Sequence, residues 1–125
     1  MANPNIVNVT TIYGNSSQTS LTTTNATSLV SNAASSGKVY KINSIVVANV
    51  DGISNADITV SIYSQASIGG TAFPIASTIV VPADASLIVI DKTTSFYLLE
   101  NQSIGATAGT ANDLVVNCSW EEISS

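Results

Sequence analysis

The feature that most narrows the fold is a two-residue alternation of apolar and polar side chains that recurs in short runs. Ile58, Val60 and Ile62 alternate with Thr59, Ser61 and Tyr63, and near the C-terminus Leu114, Val116, Cys118 and Trp120 alternate with Val115, Asn117, Ser119 and Glu121. Successive residues of a strand point to opposite faces, so each run has one face suited to a core and one suited to water. Nowhere do apolar residues repeat with helical spacing over three turns. An all-β chain is the consequence.

The remaining strands follow from the same pattern and from the residues that interrupt it. The segment from Lys38 to Val50 alternates through Val39 to Ile42, then holds a compact run at Ile45, Val46 and Val47. A strand buried on both faces, or one carrying a bulge, reads this way. Asp51-Gly52 and Asn55 are turn formers, which predicts a hairpin joining strands near 39–50 and 56–65. Ile68-Gly69-Gly70 breaks the chain, Phe73 to Val81 resumes it and Pro82-Ala83-Asp84 ends it. Leu87 to Ile90 and Phe96 to Leu99 are separated by the polar Asp91-Lys92-Thr93-Thr94-Ser95. A last pair is expected near 103–108 and 113–121. Ile6 to Tyr13 and Thr19 to Val30 alternate weakly, the second as two short strands or one long polar one. About eight strands suffice for an antiparallel β-sandwich, with a jelly roll as the leading topology and an immunoglobulin-like sandwich as the alternative. The 125 residues form one domain, 1–125, with residues 1–13 as an extended N-terminal strand or arm.

Charge is the scarce class. Only 9% of residues are charged, against about 25% in a typical domain. Nineteen Ser, fourteen Thr and twelve Asn take their place, giving a polar but nearly uncharged surface. Arginine is absent and the cations are Lys38, Lys41 and Lys92. Nucleic-acid grooves and anionic membrane surfaces require clustered cations, so neither is expected as a partner. Met1-Ala2-Asn3-Pro4 lacks the charged and apolar regions of a signal peptide, and no apolar run approaches the roughly 20 residues that span a bilayer. Cytosolic synthesis is the expectation.

A chain without histidine has no Ser-His-Asp triad, no Cys-His pair and no histidine metal site. Cys118 shares parity with Leu114 and Val116, which makes it a small buried hydrophobe rather than a nucleophile. The carboxylates Asp84, Asp91, Glu100, Asp113, Glu121 and Glu122 fall mostly at turns or chain ends, where they solubilise strand termini. Asp51, Asn55 and Asp57 have the alternating oxygens of a weak calcium site but no later acidic ligand, and a turn explains them. Gly69-Gly70 lacks the Lys-Ser/Thr of a phosphate loop. Tyr13, Tyr40, Tyr63, Tyr97 and Trp120 suggest a sugar platform, yet the parity of Trp120 favours the core. Thr22-Thr23-Thr24 is too short a repeat for ice binding. No catalytic, cofactor-binding or metal residue is expected.

Four stretches carry a resemblance. Met1-Ala2-Asn3-Pro4-Asn5-Ile6-Val7-Asn8-Val9-Thr10-Thr11-Ile12-Tyr13-Gly14, Gly37-Lys38-Val39-Tyr40-Lys41-Ile42-Asn43-Ser44-Ile45, Val81-Pro82-Ala83-Asp84-Ala85-Ser86-Leu87 and Cys118-Ser119-Trp120-Glu121-Glu122-Ile123 resemble small structural proteins of marine tailed bacteriophages. The resemblance implies a virion protein with no active-site residues to transfer. The reading that follows is a non-catalytic capsid decoration or cement protein on the particle exterior, made in the host cytoplasm. It would be a homo-oligomer, a trimer, whose partners are the major capsid protein or neck and tail proteins. Its subunits would meet through sheet edges or through Asn5 to Tyr13 as an added strand. A collar, tail or fibre component and a glycan-binding adhesion module are the alternatives.

Overall fold

The computed structural model describes residues 4–125. The described residues form nine strands: β1 (Thr11–Leu21), β2 (Thr27–Asn32), β3 (Lys38–Asn49), β4 (Ala56–Gln65), β5 (Gly69–Val81), β6 (Ser86–Ile90), β7 (Phe96–Leu98), β8 (Gln102–Ala108) and β9 (Leu114–Ser124). They make two antiparallel sheets. The five-stranded sheet runs β1-β9-β3-β6, with β7 also pairing β3, and the four-stranded sheet runs β2-β8-β4-β5. Two facing sheets with this interleaved order are a jelly roll. The two runs expected at Leu87 to Ile90 and Phe96 to Leu99 are β6 and β7, successive pieces of one edge, both paired to β3.

The alternation seen in the sequence closes the core. Ile42, Ile45 and Val47 of β3 and Leu114 and Val116 of β9 face Ile58 and Val60 of β4 and Ile104 of β8, all at most 1% exposed. Trp120 packs against this core beside Tyr40, their ring centroids 6.3 Å apart and planes 25° from parallel. The central strand β3 carries the bulge its irregular pattern predicts: Ile42 pairs Trp120 and Ser44 pairs Ser119, leaving Asn43 as the extra residue.

The predicted hairpin between residues 39–50 and 56–65 does not form. β3 and β4 lie in different sheets, and the connection through Asp51-Gly52 crosses the sandwich. Turn residues set local φ and ψ; they do not decide which sheet receives the next strand. The crossing is tied down by Asn49, which is 3% exposed. Its amide nitrogen donates to the carbonyls of Ser54 (2.9 Å) and Val81 (3.0 Å), and its oxygen accepts from the N–H of Asp51 (2.9 Å). Asn32, fully buried at the end of β2, does the same in the reverse direction. Its nitrogen donates to Lys38 O (2.9 Å) and Leu98 O (3.3 Å), and its oxygen accepts from the Ser36 hydroxyl (2.6 Å). Asn32 thus satisfies two backbone carbonyls of the opposite sheet, and Asn49 satisfies one of the opposite sheet and one of the connecting loop.

The N-terminal expectation also shifts. Strand β1 starts at Thr11, and Ile6 to Thr10 is not strand. Asn5 terminates pairing there, because its side chain accepts from Val7 N (3.0 Å) and its carbonyl from Asn8 N (3.1 Å). The polar stretch Gly14 to Ser20, weak as a sequence signal, is strand because β9 pairs with it throughout. Of residues 19–30, the two-strand reading holds: β1 ends at Leu21 and β2 begins at Thr27, with Thr22-Thr23-Thr24 in the loop between.

A strap crosses the outer face of the four-stranded sheet. Residues 65–70, from the end of β4 to the start of β5, fold back so that three consecutive N–H groups are held by side chains of other elements. Ala66 N donates to Asn101 Oδ1 (3.2 Å), Ser67 N to Ser31 Oγ (2.9 Å) and Ile68 N to Ser103 Oγ (2.8 Å). The Ser103 hydroxyl donates in turn to Gln65 O (2.7 Å). Ser67 and Ile68 have φ of 57° and 52°, a strained conformation for a β-branched residue that these three contacts hold in place.

Candidate assembly surface

The residues weighed for chemistry do not converge. Asp84 sits in the Pro82–Ala85 turn, Asp91 in the turn after β6, Glu100 between β7 and β8, Asp113 between β8 and β9, and Glu121 and Glu122 on opposite faces of β9. Asp51 uses its side chain locally, accepting from Ile53 N (2.9 Å), and Asn55 accepts from Ala83 N (3.2 Å) in the turn after β5. Among the described residues no group of three acidic, cysteine or histidine side chains is placed to hold a metal. The aromatic residues divide as well. Tyr40 and Trp120 stack against the core, Tyr63 lies over Gly105 of β8, and Tyr97 is on the outer face of β7.

Cys118 is 2% exposed, and burial pushes its thiol up to about 11 from an ordinary value of 9.0. The native chain therefore holds this proton where the unfolded chain releases it. The stability that this contributes is complete below pH 9 and is lost as pH rises through 11. At pH 8 a thiol reagent is expected to modify native protein about a hundredfold more slowly than urea-unfolded protein, from the difference in thiolate fraction alone. Equal rates would show that Cys118 is not enclosed.

What the architecture does present is a contrast between its edges. On one flank β5 packs beside β6, and there both edges are blunted. β5 pairs β4 through three register shifts, contains Pro74 and kinks at Thr78, whose φ is 50°. The adjoining edge is interrupted between β6 and β7 by Asp91–Ser95. Bulges, proline and broken strands are the usual devices that keep sheet edges from pairing with other chains. This flank is apolar instead: Phe73, Val80 and Ile88 are 59%, 52% and 63% exposed, and no charge occurs from Ala66 to Ala83.

On the opposite flank β1 packs beside β2. Here β1 pairs β9 in unbroken register over eleven residues, Thr11 with Ser124 through Leu21 with Leu114. It contains no proline, bulge or charged residue. The outer backbone row of such a strand is a template for another strand. Ile12 and Tyr13 at its start are 57% and 61% exposed. The expectation of contact through sheet edges named no strand; the bulges that separate β5 from β1 depend on pairing and left no mark in the residue pattern.

No protein-family model matches the sequence, and no match to a curated protein was found. Solved structures do share the fold. A chain from Bacillus endospore appendages, described as disulfide-linked pili, superposes with a TM-score of 0.54 at 19% identity, covering 91% of this chain and 88% of that one. A chain of the T13 particle of infectious bursal disease virus superposes with a TM-score of 0.53 at 11% identity, covering 91% of this chain and 31% of the viral one. At these identities the likeness is one of fold: this chain is a jelly roll of the kind found in a pilus and in a viral particle.

Proposed function

We propose that the chain is a non-catalytic structural subunit of a bacteriophage virion, a decoration or cement protein on the capsid exterior. The observation that carries this reading is the unblunted, uncharged edge at β1, set opposite an apolar flank. Association through such surfaces desolvates few charges, and a strand added at β1 gains a row of backbone hydrogen bonds. Strand addition at β1 and burial of the apolar flank are separate contacts, and a closed ring of three copies is the assembly proposed. The resemblance to marine phage structural proteins and the jelly-roll fold shared with a viral particle and a pilus support the same reading. Its neighbours are then the major capsid protein or neck and tail proteins, and with three lysines in all it contacts neither DNA nor membrane.

Light scattering tests the self-association. The protein is expected to form oligomers at high concentration, and Ser16→Lys with Gln18→Lys, both on exposed positions of β1, is expected to weaken them at least tenfold without lowering the unfolding temperature. A strict monomer at every concentration would contradict the proposal. Copy number in reconstructed particles separates a shell protein, present in hundreds, from a collar, tail or fibre part, present in dozens or fewer.

A further inference from the structure

Two breaks in the ladder coincide on the outer face of the five-stranded sheet. The extra residue of the β3 bulge, Asn43, lies between Ile42, which pairs Phe96, and Ile45, which pairs Ile90. Opposite it the edge strand leaves the sheet as Asp91–Ser95. Between them is an open depression of about 350 Å³ lined by Lys41, Asn43, Lys92, Ser95 and Glu121. Two of the three cations in a chain of net charge -5 are therefore gathered at one place.

Neither ammonium group is neutralised by an ion pair among the described residues. Lys38, the remaining cation, is paired with Glu122 elsewhere. Asp91, next to Lys92 in sequence, is turned into its own loop, where its Oδ1 accepts from the Thr93 hydroxyl (2.6 Å) and N–H (2.9 Å). Lys41 stands directly between Glu121 on β9 and Tyr97 on β7, and residues opposed in an antiparallel pair share a face. Tyr97 is 43% exposed. The depression thus combines two ammonium donors outside any ion pair, an amide, a hydroxyl and one carboxylate acceptor, and Tyr97 is opposed to its Lys41 on the neighbouring strand.

We infer that this depression binds a carboxylated saccharide, such as a uronate unit of an acidic polysaccharide. The lysines take the carboxylate in charge-assisted hydrogen bonds, Asn43, Ser95 and Glu121 take ring hydroxyls, and Tyr97 offers its ring as a flat apolar surface. A bare anion would use the lysines alone and leave Glu121 opposed to it. A neutral sugar would leave both ammonium groups without a partner. The inference is independent of whether copies assemble.

The test is calorimetric titration with tetragalacturonate, its methyl ester and hexaglutamate. Tetragalacturonate is expected to bind, more weakly as salt is raised, and the ester at least tenfold more weakly. Lys41→Gln with Lys92→Gln should reduce binding at least tenfold, Tyr97→Ala should reduce it severalfold, and Tyr13→Ala, at the other edge of the sheet, should leave it unchanged. Unfolding temperatures of all variants establish that they are folded. Equal binding of the ester, equal binding of hexaglutamate, indifference to the lysine changes, or no binding at all would each overturn the assignment.

Discussion

Replacing Asn49 with leucine is expected to destabilise the protein by about 3 kcal/mol, a large part of the roughly 5–15 kcal/mol that holds a domain of this size folded. The side chain is 3% exposed and leucine shares its branching and number of heavy atoms, although its methyl groups are bulkier, so overpacking adds only part of the loss. The rest comes from what is left behind. The carbonyls of Ser54 and Val81 lose their donor and Asp51 N loses its acceptor; the Val81 bond is buried, where water does not replace it, and the other two are partly buried. Each stranded group costs about 1–3 kcal/mol. The melting temperature should fall by roughly 12 °C. Asn49→Asp separates the two contributions, because it retains the acceptor for Asp51 and loses both donated bonds; it should be at least as damaging as leucine. If thermal unfolding showed either variant within about 0.5 kcal/mol of the parent, the inter-sheet clamp would not be holding the crossing.

Gly105→Leu is the second large effect, expected to cost about 3 kcal/mol. A Cβ at this position would lie 2.8 Å from Ile68 Cγ2 and 2.8 Å from Tyr63 Cε1, closer than such atoms approach, and 3.3 Å from the carbonyl of Thr27. The side chains above it cannot simply swing away. Ile68 is fixed through its N–H to Ser103 and belongs to a strap anchored by two further bonds. The strap must lift, exposing Ser103, which is fully buried although it lies on the outer face of the sheet. Limited proteolysis should then cut within residues 65–70 in the variant and not in the parent. Gly105→Ala is predicted to show the same cleavage with a smaller loss of stability. An uncut strap in Gly105→Leu would show that the glycine is not needed for its docking.

These two predictions also mark what the sequence discloses and what it does not. The β4 and β9 runs, the irregularity of β3 and the inward parity of Trp120 and Cys118 are legible because a core selects side chains at every second position. The sheet to which each strand belongs is not, since the same alternation serves a hairpin and a crossing. The residues that tie down the crossings, Asn32 and Asn49, look like any of the twelve asparagines until their partners 66 and 32 residues away are known. β1 was hidden for a related reason: its inner face is partly polar, as where Asn15 donates to Glu122 Oε2 (3.0 Å), so apolar alternation was weak. The depression depends on a bulge and a loop meeting across the ladder. Lys41 and Lys92 are separated by fifty residues of sequence and carry no shared motif.

Amide hydrogen exchange followed across protein concentration tests the assembly account most directly. If copies join through β1, the exposed-edge amides of Thr11–Leu21 exchange quickly in dilute protein and slow at least tenfold as oligomers form, while those of β3 and β9 are slow throughout. Oligomers that form with β1 exchanging as fast as in the monomer would contradict it.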